Sequence, residues 1–367
     1  MTTIFNSQST IENRVVVAMS GGVDSSVTAA LLVERGYDVV GMMMRLWSEP
    51  GLGANAPVNR CCTPDQMADA RRVADQLHIP FYVVDVKDYF RNSIVQFFID
   101  EHEQGRTPNP CIECNRQIRF TYLFNHAMAL DANYLATGHY ARVVATATGT
   151  YHLCKAVDRH KDQSYVLHVL TQEHLAHVKF PVGDYTKDEV RNLARKFNLP
   201  VASKSESQDL CFLGDGDYRR FLTEYSERVA VPGLIVDSNG RQLGQHNGLS
   251  FYTIGQRKGL GISTPEPVFV LKKDITNNTL VVGSREELGL RELEARDVNW
   301  LSGQMPTEPV AAQVKIRYKA QGIDAVVEVR ENGRVFIHFQ EPVYGITPGQ
   351  GAVFYDGDIC LGGGIIV

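Results

Sequence analysis

"RVVVAMSGGVDSSVTAALLVERG", residues 14–36, reads as a strand, a tight turn and a helix in immediate succession. The β-branched run after Arg14 suits a buried strand. From Ser25 onward the apolar positions recur at helical spacing, and Gly36 ends the run. Between the two, Gly21 and Gly22 let the backbone come close to a ligand, and Ser20, Ser25 and Ser26 offer hydroxyls. The amides that open the helix point into the loop and make it an anion site suited to phosphate. No lysine closes the loop as in a Walker sequence, and the G-x-G-x-x-G spacing is absent. A glycine turn followed by a serine cap is the alternative that "SGG" alone allows.

The same alternation continues on the C-terminal side. "DVVGMMMRL" and "FYVVDV" read as strands, "PDQMADARRVADQLHI" as a helix opened by Pro64, and "DYFRNSIVQFFIDEHEQG" as a longer helix. "RFTYLFNHAMALD" and "YLATGHY" add a helix and a strand. Such a series predicts an α/β fold with a Rossmann-like parallel sheet, its ligands at the carboxyl ends of the strands. After about residue 210 the rhythm changes to Gly- and Pro-rich segments with β-branched alternation, and the "NNT" and "ENGR" turns read as hairpins. The expectation is a catalytic domain over 1–210, a small mixed domain over 211–280 and a C-terminal β-barrel over 281–367.

Of the 367 residues, 44% are hydrophobic and 22% charged, enough for several buried cores. No apolar run approaches the roughly 20 residues that span a bilayer, and the first residues lack a signal-peptide pattern. A cytoplasmic protein without a membrane partner is expected. A net charge of -5 argues against a broadly basic surface. Local basic clusters such as "CNRQIRF", "GQRKGLG" and "KIRYKAQ" remain candidates for RNA contact or for plain solvated faces.

Seven cysteines are too few and too irregular for a disulfide scaffold. Cys111 and Cys114 in "NPCIECNR" are compatible with a metal clamp, a redox pair or sulfur chemistry. Structural zinc usually takes four ligands, and the adjacent Cys61 and Cys62 do not make a second spaced pair. A thioredoxin-like pair would follow a strand, whereas this one follows a helix. Arg116 and Arg119 flank Cys114 and favour a reactive thiolate in an open loop. Cys154 and Cys360 read as core residues.

"SGGVDSS" resembles the PP-loop of the ATP pyrophosphatase superfamily. That resemblance implies that Ala18, Met19, Ser20, Gly21, Gly22, Val23, Asp24 and Ser25 hold ATP for cleavage between its α and β phosphates, with Asp24 also holding Mg2+. It further places Met44 in the adenine pocket and Gly138 of "ATGHY" at the nucleotide. "GRTPNPCIECNRQIRF", "LATGHYAR", "KDQSYVL", "SESQDLCFLG", "GLSFYTIGQRKGLG" and "KIRY" follow in the order of the tRNA-specific 2-thiouridylase family. The likeness covers nearly the whole chain.

By this resemblance Cys114 is the nucleophile and Cys211 carries a persulfide. The persulfide sulfur comes from a donor protein or cysteine desulfurase. Many relatives have Asp where this chain has Cys111, which leaves open whether Cys111 replaces a general base, is a spare thiol, or joins Cys114 and Cys211 around an iron-sulfur cluster. Contacts to tRNA are implied for Asn109, Pro110, His139, Lys161, Asp162, Gln163, Arg317, Tyr318 and Gln350. The implied activity is ATP-dependent 2-thiolation of a tRNA uridine at wobble position 34. A PP-loop ligase acting on a small metabolite and a non-catalytic tRNA-binding protein are the competing readings.

Overall fold

The computed structural model describes residues 13–49, 63–205 and 210–367. Cys61, Cys62 and residues 206–209, which belong to the "SESQDLCF" stretch, lie outside the described residues. The N-terminal sheet is wholly parallel, in the order β3-β2-β1-β4-β7. Its strands are β1 (Arg14–Ala18), β2 (Asp38–Arg45), β3 (Phe81–Asp85), β4 (Tyr134–Ala136) and β7 (Val178–Lys179). Alternation along β1 explains why it is central. Val15 and Val17 pack toward one apolar layer and Val16 toward the other, all three fully buried. Each such side chain contributes roughly 1.5–3 kcal/mol of burial. Strands β2 and β3 run off one side of β1 and β4 and β7 off the other, so the order reverses between β1 and β4. In open α/β sheets the ligand binds outside the carboxyl ends at such a reversal.

Helix α1 (Val23–Glu34) shares its apolar layer with α9 (Lys187–Lys196) through Val27, Ala30, Val190 and Ala194. Helix α2 (Pro64–Gln76) starts at the expected proline, and Thr63 and Gln66 close a reciprocal cap before it. The expected long helix is present in three stretches: α3 (Lys87–Phe90), a wide π-helical stretch (Arg91–Val95) and α4 (Gln96–Glu103). A second composite helix joins α5 (Pro110–Cys114), a π-helical stretch (Asn115–Leu123) and α6 (Phe124–Met128). Such π-helical stretches often accompany functional sites.

The central region carries α10 (Tyr218–Tyr225) and a mixed sheet of β8 (Gly233–Asp237), β9 (Gln242–His246), β10 (Phe269–Asp274) and β11 (Thr279–Gly283). The sheet order is β10-β11-β8-β9. Strand β11 carries this sheet to Gly283, past the expected limit near residue 281. The C-terminal strands are β12 (Gly289–Trp300), β13 (Val310–Lys315), β14 (Ile323–Val329), β15 (Val335–Tyr344), β16 (Gly351–Asp356) and β17 (Ile359–Ile366). Pairing of β12 with both β15 and β17 closes them into a six-stranded barrel. Val314, Val327, Val335, Ile337 and Phe354 fill it. Both expected hairpins form. Asn278 takes a φ of 47° in the first turn, and Asn332 takes 67° in the second.

The hairpin β5 (Ala141–Ala145) and β6 (Tyr151–Lys155) leaves the catalytic half and adds to β17, with Ile359 opposite Cys154. Two short helices, α7 (Ser164–Leu167) and α8 (Gln172–His177), lie between this hairpin and β7. Tyr165 on α7 donates to the carbonyl of Gly351 at 2.9 Å and locks the catalytic half onto β16. Among the described residues no helix is long and apolar enough to cross a membrane.

Candidate active site

The phosphate loop is fixed from below by its own sequence. The Met19 amide donates to Met42 on β2 at 2.8 Å, and the Ser20 amide donates to the Ser25 hydroxyl at 3.1 Å. The hydroxyls of Ser25 and Ser26 reach back to the carbonyl of Gly22. Gly21 has a φ of 69°, and a Cβ there would lie 2.3 Å from the carbonyl oxygen of Gln66 on α2, so only glycine fits. Gly138, just after β4, approaches the first turn of α1 equally closely. A Cβ there would lie 2.8 Å from the Ser25 nitrogen and 2.9 Å from the Asp24 carbonyl carbon. Met44, near the end of β2, is half-buried where two apolar layers meet. Ala18, Val23 and the remaining loop positions therefore surround the switch point of the sheet.

Asp24 stands in the first turn of α1, where the helix dipole favours its carboxylate. Its carboxylate accepts from Lys187 Nζ at 2.7 and 2.9 Å and from the Tyr140 hydroxyl at 2.8 Å. Lys187 is buried, although it opens α9, where the helix dipole disfavours a cation. Its amide is held by Asp158 at 3.0 Å. A second cation, Lys204, donates to the Gly21 carbonyl at 3.0 Å and to Asp69 at 2.6 Å. Neither lysine nor Tyr140 was identified from sequence. The one sequence signal for Lys187 is a lysine just inside the "TKDE" capping pattern, against the dipole.

Mg2+ fits the donor set as an ion shared with ATP. It usually takes one or two carboxylates plus phosphate oxygens, and Asp24 supplies one at the loop. The iron-sulfur alternative fits less well. Among the described residues no three His, Cys, Asp or Glu side chains are gathered as a metal site, so Cys111, Cys114 and Cys211 are not arranged as cluster ligands.

The cysteine segment is a helix start and not the open loop expected for it. Asn109 caps α5, its side-chain oxygen accepting from the Cys111 amide at 3.1 Å, and Pro110 takes the first helical position. Cys111 is exposed and Cys114 buried. Arg119 Nη1 lies 3.7 Å from the Cys114 sulfur and 2.9 Å from the Asn115 side-chain oxygen. Arg116 turns to Glu113 instead, at 3.6 Å. Cys114 belongs to the apolar cluster formed by Phe90, Phe98, Phe212 and Phe221, and half-buried Cys211 packs against the same cluster. The two sulfurs thus border one cluster that joins the catalytic half to the central region.

The residues assigned to RNA fall into two groups. Asp162 is buried and accepts from Ala156, from the Ser164 amide and from the Ser164 hydroxyl. Gln163 accepts from the Tyr140 amide at 2.9 Å, so this turn supports the residue that holds Asp24. His139 is buried beside Thr137 at 2.6 Å, and burial with the Arg119 charge pushes its pKa down to about 3. Gln350 donates to the Thr107 carbonyl at 2.7 Å, two residues ahead of Asn109. These side chains position the site.

Others face outward. Lys161 is half-exposed in the turn before Asp162, and Arg317 is exposed while one guanidinium nitrogen bridges the carbonyls of Ile254 and Gly345. Tyr318 packs edge-on to Tyr165.

Three family models match in order: a tRNA methyl transferase HUP domain over residues 13–215, a tRNA methyl transferase PRC-barrel domain over 219–284, and an aminomethyltransferase β-barrel domain over 290–366. The chain is 48% identical over 355 residues to tRNA-specific 2-thiouridylase MnmA 2 of Caldanaerobacter subterraneus, covering 96% of this chain and 98% of that one. It is 49% identical over 356 residues to the tRNA-specific 2-thiouridylase MnmA of Magnetococcus marinus, with 96% and 99% covered. The model descriptions speak of methyl transfer and the relatives' names of thiolation. The relatives match nearly their full lengths at almost half identity, and on that ground the chain belongs to the tRNA-specific 2-thiouridylase family.

Proposed function

We propose that this chain uses ATP to replace the C2 oxygen of a tRNA uridine, at wobble position 34, with sulfur carried as a cysteine persulfide. The arrangement that supports it is the pairing of a phosphate loop at the sheet's switch point with two cysteines, Cys114 and Cys211, on one apolar cluster. ATP lies with its phosphates on the amides of residues 20–25, its adenine near Met44 and its pyrophosphate near Lys187 and Lys204. Mg2+, held by Asp24, supplies charge neutralisation on the phosphates when bound.

The uridine C2 oxygen attacks the α phosphorus and pyrophosphate leaves. The terminal sulfur of a Cys211 persulfide then attacks C2, and AMP departs. Cys114, as a thiolate beside Arg119, attacks the Cys211 sulfur, which breaks the S–S bond, releases the C2 thiocarbonyl and leaves a Cys114–Cys211 disulfide. An external thiol reductant supplies two electrons to reopen it, and a donor protein or desulfurase reloads Cys211. His139, kept neutral by burial, packs beside Thr137 and Phe120. This chemistry belongs in a reducing, cytoplasmic compartment.

The test is single turnover with each cysteine variant. Cys114→Ser and Cys211→Ser should bind ATP and tRNA and make no 2-thiouridine, whereas Cys111→Ser should retain activity. Loss in all three variants, with stoichiometric iron and sulfide in anaerobically prepared protein, would replace the relay by a cluster.

A further inference from the structure

Resting on the reading that tRNA is the substrate, we propose that the central-domain loop 257–268 is an additional grip on the tRNA sugar-phosphate backbone. The loop surrounds a cavity of about 410 Å³ bordered by Arg257, Gly259, Gly261, Ser263, Thr264 and Glu266. It is a built feature and not a floppy excursion. Gln256 clamps it by donating to the Lys258 carbonyl at 2.9 Å and accepting from the Thr253 amide at 3.1 Å. Leu260 is buried in the apolar cluster and Ile262 packs against it. Gly259 and Gly261 take φ values of 72° and 71° and turn the backbone around the cavity.

Arg257 and Lys258 point away from that anchor and are exposed. Among the described residues neither forms an ion pair, in a chain whose net charge is -5. The loop is also continuous with the surface to which RNA contact is assigned. Arg317 Nη2 donates to the carbonyl of Ile254 at 3.2 Å and lies 3.6 Å from the Cβ position of Gly255, two residues before Arg257. Arg317 on the barrel is thus bonded to the segment that leads directly into exposed Arg257 and Lys258, across the seam between barrel and central domain. Guanidinium and ammonium groups with hydroxyls beside them suit phosphodiester oxygens. Glu266 is the one carboxylate at the cavity, and it opposes the anion.

The experiment is tRNA binding to the full chain by anisotropy, between roughly 50 and 200 mM salt, where each phosphate contact adds about 0.7–0.9 to the slope of log K against log salt. Arg257→Ala/Lys258→Ala should weaken binding about tenfold at low salt and flatten the slope by about one to two. Arg257→Lys/Lys258→Arg should restore both, and Glu266→Gln should tighten binding. ATP affinity should be unchanged in every variant, which also reports a folded catalytic half. An unchanged slope in the alanine variant overturns the proposal. So does a variant that loses only competition by inorganic phosphate, since the loop would then be a small-anion site. Wild type that fails to bind tRNA contradicts the functional reading instead.

Discussion

Cys111 and Cys114 stand one helical turn apart, yet only the first meets solvent. Their difference is a consequence of local folding: Asn109 and Pro110 start a helix packed on both sides, which buries Ile112 in one apolar cluster and Cys114 in another and leaves Cys111 in its first turn exposed. Alkylation of the reduced protein should therefore modify Cys111 first, with Cys114 protected at least several-fold, as peptide mapping would show. Equal rates would contradict the burial.

Lys187 is the other residue-level finding. Its ammonium pairs with the Asp24 carboxylate at the phosphate loop, and the proposed reaction gives it the pyrophosphate as a partner. Lys187→Met should lower the rate of AMP formation about 10²–10³-fold with the fold retained, the cost typical of losing one preorganised charge contact. A near-normal rate would make Lys187 a structural partner of Asp24 only. The PP-loop itself was legible in the sequence, because its glycines and serines are adjacent. Lys187, Tyr140 and Lys204 were not, because they reach the loop from distant segments, and no local spacing encodes that meeting.

At the scale of elements, the strand–loop–helix unit, the hairpin turns and the change to β-structure could all be read from periodicity and turn chemistry. Three features could not. The π-helical stretches break the helix around residues 91–95 and 115–123 without a proline or glycine signal. The β5–β6 hairpin looks like part of the parallel-sheet domain in sequence, yet it pairs with the last barrel strand. Gly138 is placed at the nucleotide in sequence only by the family resemblance, and its close approach to α1 is not encoded by any local spacing. Gly138→Ala would insert a methyl group against the backbone of Asp24 and Ser25. The expected result is a loss of about 1–3 kcal/mol in stability, as for overpacked sites, and a raised KM for ATP. Urea titration and AMP-release kinetics read the two effects separately. An unaltered KM would show that the approach of β4 to α1 does not shape the nucleotide site.

Across the whole molecule, three histidines are deeply buried: His102 beside Tyr218 of the central region, His168 against Gly363 of the barrel, and His139 near Phe120 and Phe180 within the N-terminal half. Burial pushes His139 down to about 3, and His102 and His168 to about 4. Each is neutral in the folded chain and protonates near 6.5 once unfolded, so the unfolded state binds more protons below that pH. Stability is therefore full above about 6.5 and falls as the pH drops toward 4, each histidine contributing on the order of 1 kcal/mol per pH unit. Urea midpoints at pH 7.5 and 5 check the sign, and a midpoint that rises at pH 5 would refute it.

Arg317 stands at the seam between the barrel and the central domain, bonded to the carbonyls of Ile254 and Gly345. Arg317→Ala should weaken tRNA binding, reduce the salt slope by about one contact and leave ATP affinity alone. An unchanged slope would confine Arg317 to its bridge between Ile254 and Gly345.

The central claim is that ATP cleavage at the N-terminal loop is spent on sulfur transfer to tRNA. Mass spectrometry of nucleosides from tRNA incubated with the full chain, ATP, Mg2+ and a persulfide donor tests it most directly, with AMP measured in the same reaction. The account predicts 2-thiouridine appearing in step with AMP, and neither product when Asp24 is replaced by alanine. AMP released without 2-thiouridine, or 2-thiouridine formed without ATP, would contradict it.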